Sequence, residues 1–389
     1  MSLTDAINSR TRRPTAAVWI DGKRWPGLLS ASTSQEYGQG VGSATIVGRD
    51  PPVTPKPGMT IRIDWGYNGF TVRGFTGYVV TTDRSSYPKR WTLQCADVLW
   101  LAERESQPIA VSPLNDVSAS DAIAYILATY AGITRVSLPT IARPSDSGTS
   151  WNLGHLTPVS WESDTTALAA CQEIAATAGY WLYADAGGTV RARMLERTPS
   201  SSPFRTLQKG DAAGATLLVS GAPTRRQDAS QVKNRITVRG AATGVEGAQL
   251  FDTFTATHAL LPGVTSTFEF ESFLLEYEAD VTAVASRIAA VWNRVPNVVT
   301  ARIKADPRLA VGTTVAIQDD NIGYGSAQNF FVYRLQTSID LAAGRFDQQI
   351  TLDGGVLLEG FTLTTVGGAA STNLVGTTNL SNGVLVVET

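Results

Sequence analysis

Histidine and cysteine are nearly absent from this 389-residue chain, with two of each. His155 and His258 stand far apart, and neither sits in a His-x-x-x-His or Glu-bearing zinc pattern, so no metal centre is expected. His155 follows Gly154 in a loop and reads as a solvent-facing or capping residue. Cys95 and Cys171 each lie in an apolar pattern, which points to buried free thiols in a reducing compartment and away from a disulfide. Charge is scarce as well. Charged residues make up 17% and the formal net charge is -2, which offers no basic surface for nucleic acid or for an anionic membrane. No apolar run approaches the roughly 20 residues of a membrane span, and Met1 to Pro14 lacks the apolar stretch of a secretory signal. There is no Gly-x-Ser-x-Gly elbow and no phosphate loop closing on Lys-Ser/Thr. The expectation is therefore a protein without catalytic, cofactor-binding or metal-ligating residues, and without a cofactor.

What the chain does have is strand pattern, and it has it twice. Pro57-Gly58-Met59-Thr60-Ile61-Arg62-Ile63-Asp64, Phe70 to Thr82 and Trp91 to Asp97 each alternate apolar and polar residues, the period of half-buried strands. Gly66, Asn68 and Gly69 separate the first from the second, and Ser85 to Pro88 the second from the third. Gly312-Thr313-Thr314-Val315-Ala316-Ile317 repeats the Gly-x-Thr-aliphatic-x-Ile of Gly58 to Ile63. Phe330 to Asp340 then stands for Phe75 to Asp83, and Phe346 to Leu352 for Trp91 to Cys95. Upstream, Val41 to Val47 belongs with the first meander, and the similar Val232 to Val238 is assigned to the second. The fold class expected is mainly β with an α+β insertion: two related antiparallel β-barrel modules, the second split by an inserted segment.

In chain order, residues 1–110 are expected to form the first barrel with a basic N-terminal arm carrying Arg10, Arg12 and Arg13. Residues 111–205 form an α+β subdomain. Its first helix is predicted to start at an N-cap Ser118 with Asp121 three residues on and to stop at Gly132. Its second is predicted over Asp164 to Ala178, running into a hairpin of Tyr180 to Tyr183 and Thr189 to Met194. Thr198 to Pro203 reads as a linker. Residues 206–240 supply the front half of the second barrel, 241–297 an insertion completing the α+β subdomain, and 298–355 the back half. Within the insertion, Val281, Val284, Ala285, Ile288, Val291 and Trp292 share a helical face. Residues 356–389 are rich in Gly, Thr, Ser and Asn and read either as a disordered tail or as an interaction arm whose strands order on a neighbouring chain.

Three groups of residues invite a chemical reading. Glu269, Glu271, Glu276 and Glu278 surround Phe268, Phe270, Phe273 and Tyr277, and a glycosidase uses two carboxylates; the Phe-Glu alternation more simply describes a strand with one wet face. Asp319-Asp320-Asn321-x-Gly323 is rich in oxygen ligands but lacks the spacing and closing Glu of a calcium loop, so it reads as a hairpin turn, with ion binding the alternative. Trp65, Trp91, Trp100, Trp151, Trp161, Trp181 and Trp292 lie within strand and helix patterns and read as core anchors or subunit contacts more than as a sugar-binding groove.

The order of parts resembles the central hub proteins of phage tail baseplates and tail tips, including the myophage hub, late control protein D and siphophage relatives. The likeness is carried by Pro57 to Ile63 with Gly74 to Val79, by Val117 to Leu127, by Glu173 to Asp185 and by Val232 to Gly240, and covers about residues 15 to 355. It implies a homotrimer in which two similar barrels per chain give a pseudo-six-fold ring, adapting a six-fold tail tube to a three-fold tip or spike. The partners it implies are the tail tube or distal tail protein above, a tip, spike or fibre protein below, and the tape measure protein. The place it implies is the virion tail tip, after synthesis in the host bacterial cytoplasm. No needle, lysozyme or fibre domain is recognised in this chain, so peptidoglycan cleavage is not carried over. A cell-wall-degrading enzyme or a carbohydrate-binding tail protein is the alternative.

Overall fold

The computed structural model describes residues 7, 12–38, 40–104, 106–110, 117–156, 159–194, 199–208, 216–217, 223–228, 230, 232–243, 247–257, 263–354, 362–366, 377–381 and 384–387. The first module contains β1 (Pro14–Ile20), β2 (Leu28–Glu36), β3 (Ser43–Gly48), β4 (Thr60–Tyr67), β5 (Phe70–Ser86) and β6 (Lys89–Asp97). Helix α1 (Ala119–Ala131), α2 (Ala167–Thr177), β7 (Tyr180–Ala184) and β8 (Val190–Met194) follow. Then come β9 (Thr206–Gln208), β10 (Thr224–Gln227), β11 (Arg235–Arg239), β12 (Phe251–Thr257), β13 (Thr267–Glu271) and α3 (Glu278–Trp292). The second meander is β14 (Asn297–Lys304), β15 (Thr314–Asp319), β16 (Tyr324–Asp340) and β17 (Arg345–Asp353), after which β18 (Thr362–Val366), β19 (Thr377–Ser381) and β20 (Val384–Val387) end the described chain.

The repeat read from the sequence is present in the pairing. Strands β4, β5, β6 and β3 lie side by side in the order β4-β5-β6-β3, and β15, β16, β17 and β14 in the order β15-β16-β17-β14. Strands β5 and β16 are both 17 residues long, and β6 and β17 both 9. The register of β5 on β6 shifts between Val79 and Thr81, and that of β16 on β17 between Val332 and Arg334, so both copies carry an irregularity at the same place. Ile61 and Val315 are both fully buried, in the cores of the first and second module respectively. The middle strands correspond differently from expectation. Ile63 pairs with Phe75 and Ile317 with Gln328, so Phe330 takes the place of Gly77 and not of Phe75. A Phe and a Gln at one register position give local pattern nothing to match.

The two modules do not close as separate barrels among the described residues. They are fused into one 14-stranded sheet, because the second half of β16 pairs antiparallel with β2 from Arg334–Glu36 to Asp340–Ser30. The polar face of β2, with Ser30, Ser32 and Ser34, gave no sign of a partner some 300 residues away. A second expectation is also corrected. Arg235 to Arg239 does not join the second module. It forms β11 of a smaller sheet, between β12 and β13. Alternation fixes which side chains face inward but not which sheet the strand joins; here Ile236 and Val238 are needed to cover the apolar stripe of α3, where Val281, Val284, Ala285 and Ala289 are buried. The role of the front strand in the second module is taken by β10, which pairs with β14. The insertion therefore builds its own core and leans on the α+β subdomain; among its described buried residues, Leu274 alone joins the subdomain core.

Local signals held elsewhere. Ser118 caps α1, accepting from the Asp121 amide at 3.1 Å, and Gly132 ends it at φ +67°. Helix α2 starts at Ala167, three residues later than Asp164, because Thr166 is the residue whose side chain caps it. Strands β7 and β8 form the expected hairpin. In the basic arm, Arg10 lies outside the described residues, and the Arg13 amide donates to Asn68 Oδ1 at 2.9 Å. Of the linker, Thr198 lies outside, while the Ser200 amide donates to Thr314 Oγ1 at 2.8 Å and so follows β15. Strands β18 to β20 continue the smaller sheet from β12, so this part of the interaction arm pairs with its own chain.

Candidate functional site

The residues singled out for chemistry do not converge. Glu269 and Glu271 are exposed on β13 while Phe268 and Phe270 turn toward α3. Glu276 is buried and accepts the backbone amides of His155 and Leu156 at 3.2 and 3.1 Å, tying the insertion to the subdomain. Glu278 opens α3, where a carboxylate meets the positive end of the helix. The His155 side chain is exposed, its ring 6.2 Å from that of Tyr277; His258 lies outside the described residues. Asp319 Oδ1 accepts from the Asn321 backbone and side-chain nitrogens, both at 2.9 Å, in a turn that Gly323 closes at φ +84° between β15 and β16. Among the described residues no three His, Cys, Asp or Glu side chains are grouped to hold a metal ion. Cys95 and Cys171 are free and buried in different cores, and burial pushes the Cys95 thiol up to about 12 and raises that of Cys171. Trp65, Trp151, Trp161 and Trp181 are buried as core anchors; Trp91, Trp100 and Trp292 are half-buried.

The structure instead concentrates its polar chemistry at joints between parts. Tyr37, at the end of β2, donates its amide to the Tyr333 carbonyl at 2.8 Å and its hydroxyl to the Met194 carbonyl at 2.8 Å, with its ring between Trp181 and Phe331. One side chain thus pins both modules and the β7–β8 hairpin together. A cavity of about 340 Å³ opens at the same seam, lined by Arg73 and Asp97 of the first module, Arg191 and Arg193 of the hairpin, and Arg308 of the second module. Three of its guanidinium groups are held by carboxylates: Arg73 by Asp64 at 2.7 Å, Arg191 by Asp185 at 2.7 Å and Arg308 by Asp306 at 2.9 Å. Burial raises the Asp64 carboxyl, but hydrogen bonds from Arg62 and Arg73 outweigh it and hold the group below its usual value. Asp97 is different. Burial pushes it up to about 7 against the pull of the Gly42 and Leu99 amides, which donate at 2.6 and 2.9 Å. These side chains brace a joint; among the described residues they supply no nucleophile paired with a base.

The insertion is fastened by two more charged contacts. Asp280 near the start of α3 accepts a bidentate fork from Arg143 at 3.0 Å and also the Ser145 amide at 3.2 Å. Arg287 on the same helix donates to the Thr177 carbonyl at the end of α2 at 2.6 Å, and burial pushes its guanidinium down to about 10. A cation there meets the negative end of α2, which offsets the missing carboxylate. None of these pairs was visible in the sequence, because each joins residues 100 or more positions apart and no local spacing announces it.

Solved structures with this arrangement exist. A tail protein from Neisseria meningitidis MC58 aligns over 88% of this chain and 96% of its own at a TM-score of 0.64, with 15% identity. The chain has the fold of phage tail proteins. The 43 kDa tail protein of prophage MuSo2 from Shewanella oneidensis matches 87% of this chain and 98% of its own at a TM-score of 0.60 and 15% identity. Prophage tail protein gp18 from Listeria monocytogenes EGD-e matches 87% and 94% at 0.54 and 11% identity. No family model and no curated protein matches the sequence. At such identity the likeness is one of backbone, and it extends over both modules and the segments between them.

Proposed function

We propose that the chain is a structural hub of a phage or phage-like tail tip, forming a trimeric ring of six similar modules that adapts a six-fold tail tube to a three-fold tip or spike. The observation that carries this is the duplicated meander, with equal strand lengths and a register shift at the same position in each copy. Two like modules in one chain let three chains present six like surfaces on one side while keeping three-fold symmetry in the segments between. The tail-protein fold supports a place in the virion tail, with the tube or distal tail protein on one face, a tip, spike or fibre protein on the other, and the tape measure protein as a further partner.

The role proposed is structural and not enzymatic: the carboxylates that a glycosidase reading would need point to different surroundings. Light scattering of the purified chain tests the reading. A particle of about three times 41.4 kDa with a six-lobed end-on projection is expected. A monomer or dimer at all concentrations, or release of fragments from purified peptidoglycan, would overturn it.

A further inference from the structure

Along one edge of β16, residues up to Phe331 pair with β15 and residues Arg334 to Asp340 pair with β2 of the first module. The equivalent edge of β5 is filled by β4 only as far as Tyr78. Beyond that, Thr81 to Ser86 pair on their other side with β6 and have no strand on this side among the described residues. The burial agrees. Leu335, Thr337 and Ile339 are buried beneath the joint, whereas Thr81 and Asp83 to Ser86 are all exposed.

The strand that should fill the open edge can be read from the same register. Val299 pairs with Leu352 as Ala44 pairs with Cys95, so β14 stands for β3. Arg225 pairs with Val299 as Thr33 pairs with Ala44, so β10 stands for β2. All four residues of β10 are exposed, and its outer edge carries no strand among the described residues. The chain thus has one open edge of each kind, and each matches a strand already paired in its own joint. An edge with unmade backbone bonds is a template for pairing.

We propose that β10 of one copy pairs antiparallel with residues 82 to 85 of β5 in the next copy, in the register of the internal β2–β16 joint. This rests on the ring reading above. Translating Ser32–Ser338, Thr33–Thr337, Ser34–Gln336 and Gln35–Leu335 places Thr224 opposite Ser85, Arg225 opposite Arg84, Arg226 opposite Asp83 and Gln227 opposite Thr82. The charges suit the register at its centre. Arg226, whose side chain is 77% exposed and already holds the neighbouring Asp228 at 2.6 Å, also faces Asp83, which makes no hydrogen bond or ion pair among the described residues. Arg225 and Arg84 meet as like charges, but each is already engaged over a ring of its own chain, Tyr324 at 4.9 Å and Trp91 at 5.4 Å. The contact is heterologous, and it closes at three chains where each copy is rotated by a third of a turn from the last, as the ring reading requires.

Cysteine pairs test it in the full chain, since Cys95 and Cys171 are buried. Two double variants, Asp83→Cys/Arg226→Cys and Thr82→Cys/Gln227→Cys, cover neighbouring positions, one of which falls at the closer, non-hydrogen-bonded spacing. Oxidation is expected to give covalent dimers and trimers on a denaturing gel, with nothing larger. The off-register pair Thr81→Cys/Arg226→Cys should link at least tenfold less. A variant that is trimeric by light scattering yet stays unlinked in both registers overturns this edge pairing and leaves the ring intact. A chain that is monomeric and unlinked overturns the ring itself.

Discussion

Gly58 and Gly312 make the same pair of backbone contacts in the two modules. The Gly58 amide donates to the Val79 carbonyl at 2.8 Å, and the Gly312 amide donates to the Val332 carbonyl at 2.9 Å; Val79 and Val332 return bonds to the next residue, to Met59 at 2.9 Å and to Thr313 at 2.8 Å. Both glycines have positive φ, +88° and +85°. The equivalence locates the entry of each meander at a residue that only glycine fills without strain.

Alanine at either position should therefore destabilise. Gly58→Ala meets open space, so its cost is backbone strain alone, about 1–2 kcal/mol in urea unfolding. Gly312→Ala carries the same strain and also displaces the Arg193 guanidinium, which would lie 2.5 Å from the new methyl group. Because that group is the end of a flexible side chain, the extra cost is small. Equal stability of Gly58→Ala and the parent would refute the strain argument.

Asp97 should make stability fall as pH rises. Its folded value is raised from 3.8 to about 7 by burial, so between those values the folded chain holds a proton that the unfolded chain has released. By linkage, the contribution of Asp97 to stability is greatest below about pH 4, declines through the window and is lost above about 7. Asp97→Asn removes the decline. Thermal melts at pH 5 and pH 8 should show a larger drop in Tm for the parent than for the variant. A parent that gains stability relative to Asp97→Asn over this range would reverse the sign and sink the argument.

Loss of the Asp280 carboxylate should loosen the insertion selectively. Asp280 is 1% exposed and holds Arg143 and Ser145, but the Arg143 side chain is one-third exposed and can rehydrate. Asp280→Ala is expected to cost about 2–3 kcal/mol, toward the lower end for a broken buried pair. Hydrogen exchange should rise in α3 and β11 to β13 while β4 to β6 stay protected. Uniform loss of protection would mean that the insertion and the large sheet unfold as one unit.

Neither cysteine should react in the folded protein. Cys95 is 3% exposed and Cys171 fully buried, and burial raises both thiols, so little thiolate forms at neutral pH. A thiol reagent should titrate no sulfur in native buffer and two in denaturant. Rapid labelling of one thiol in the native state would place it at an opening surface.

What could be read from the sequence was whatever local chemistry specifies. Ser118, Gly132, the β7–β8 hairpin and the face of α3 carry their own start, stop and period, and Gly58 with Gly312 marks the duplication. What could not be read is partnership. Val232 to Val238 alternates like any half-buried strand, and only the need to cover Val281 and Val284 assigns it to the smaller sheet. The β2–β16 joint and the Arg287–Thr177 bond depend on which surfaces meet after folding. The Glu269 to Glu278 cluster shows the converse: these carboxylates are neighbours in sequence yet point to different surroundings, and the Phe-Glu alternation on β13 has the one wet face that its pattern describes.

The final segment offers a direct test of where its strands pair. Read alone, Phe361 to Val366 and Gly383 to Val387 are strands without a sheet, whose backbone groups need a partner. In the folded chain β18 lies along β12, from Thr253–Val366 to Thr257–Thr362, and β19 and β20 add to it in turn. Among the described residues, its attachment to the rest of the chain is therefore one strand edge. Truncation after Gly354 should leave the large sheet folded and the oligomeric mass per chain count unchanged, because β14 to β17 end at Asp353. Amide exchange in Phe251 to Thr257 should accelerate at least tenfold, since β12 loses its outer neighbour while keeping β11. If exchange there is unchanged in the truncated chain, the arm does not hold β12 in solution and its strands are free to pair with a neighbouring chain. If the large sheet unfolds as well, the arm belongs to the fold in a way that a single edge contact does not explain.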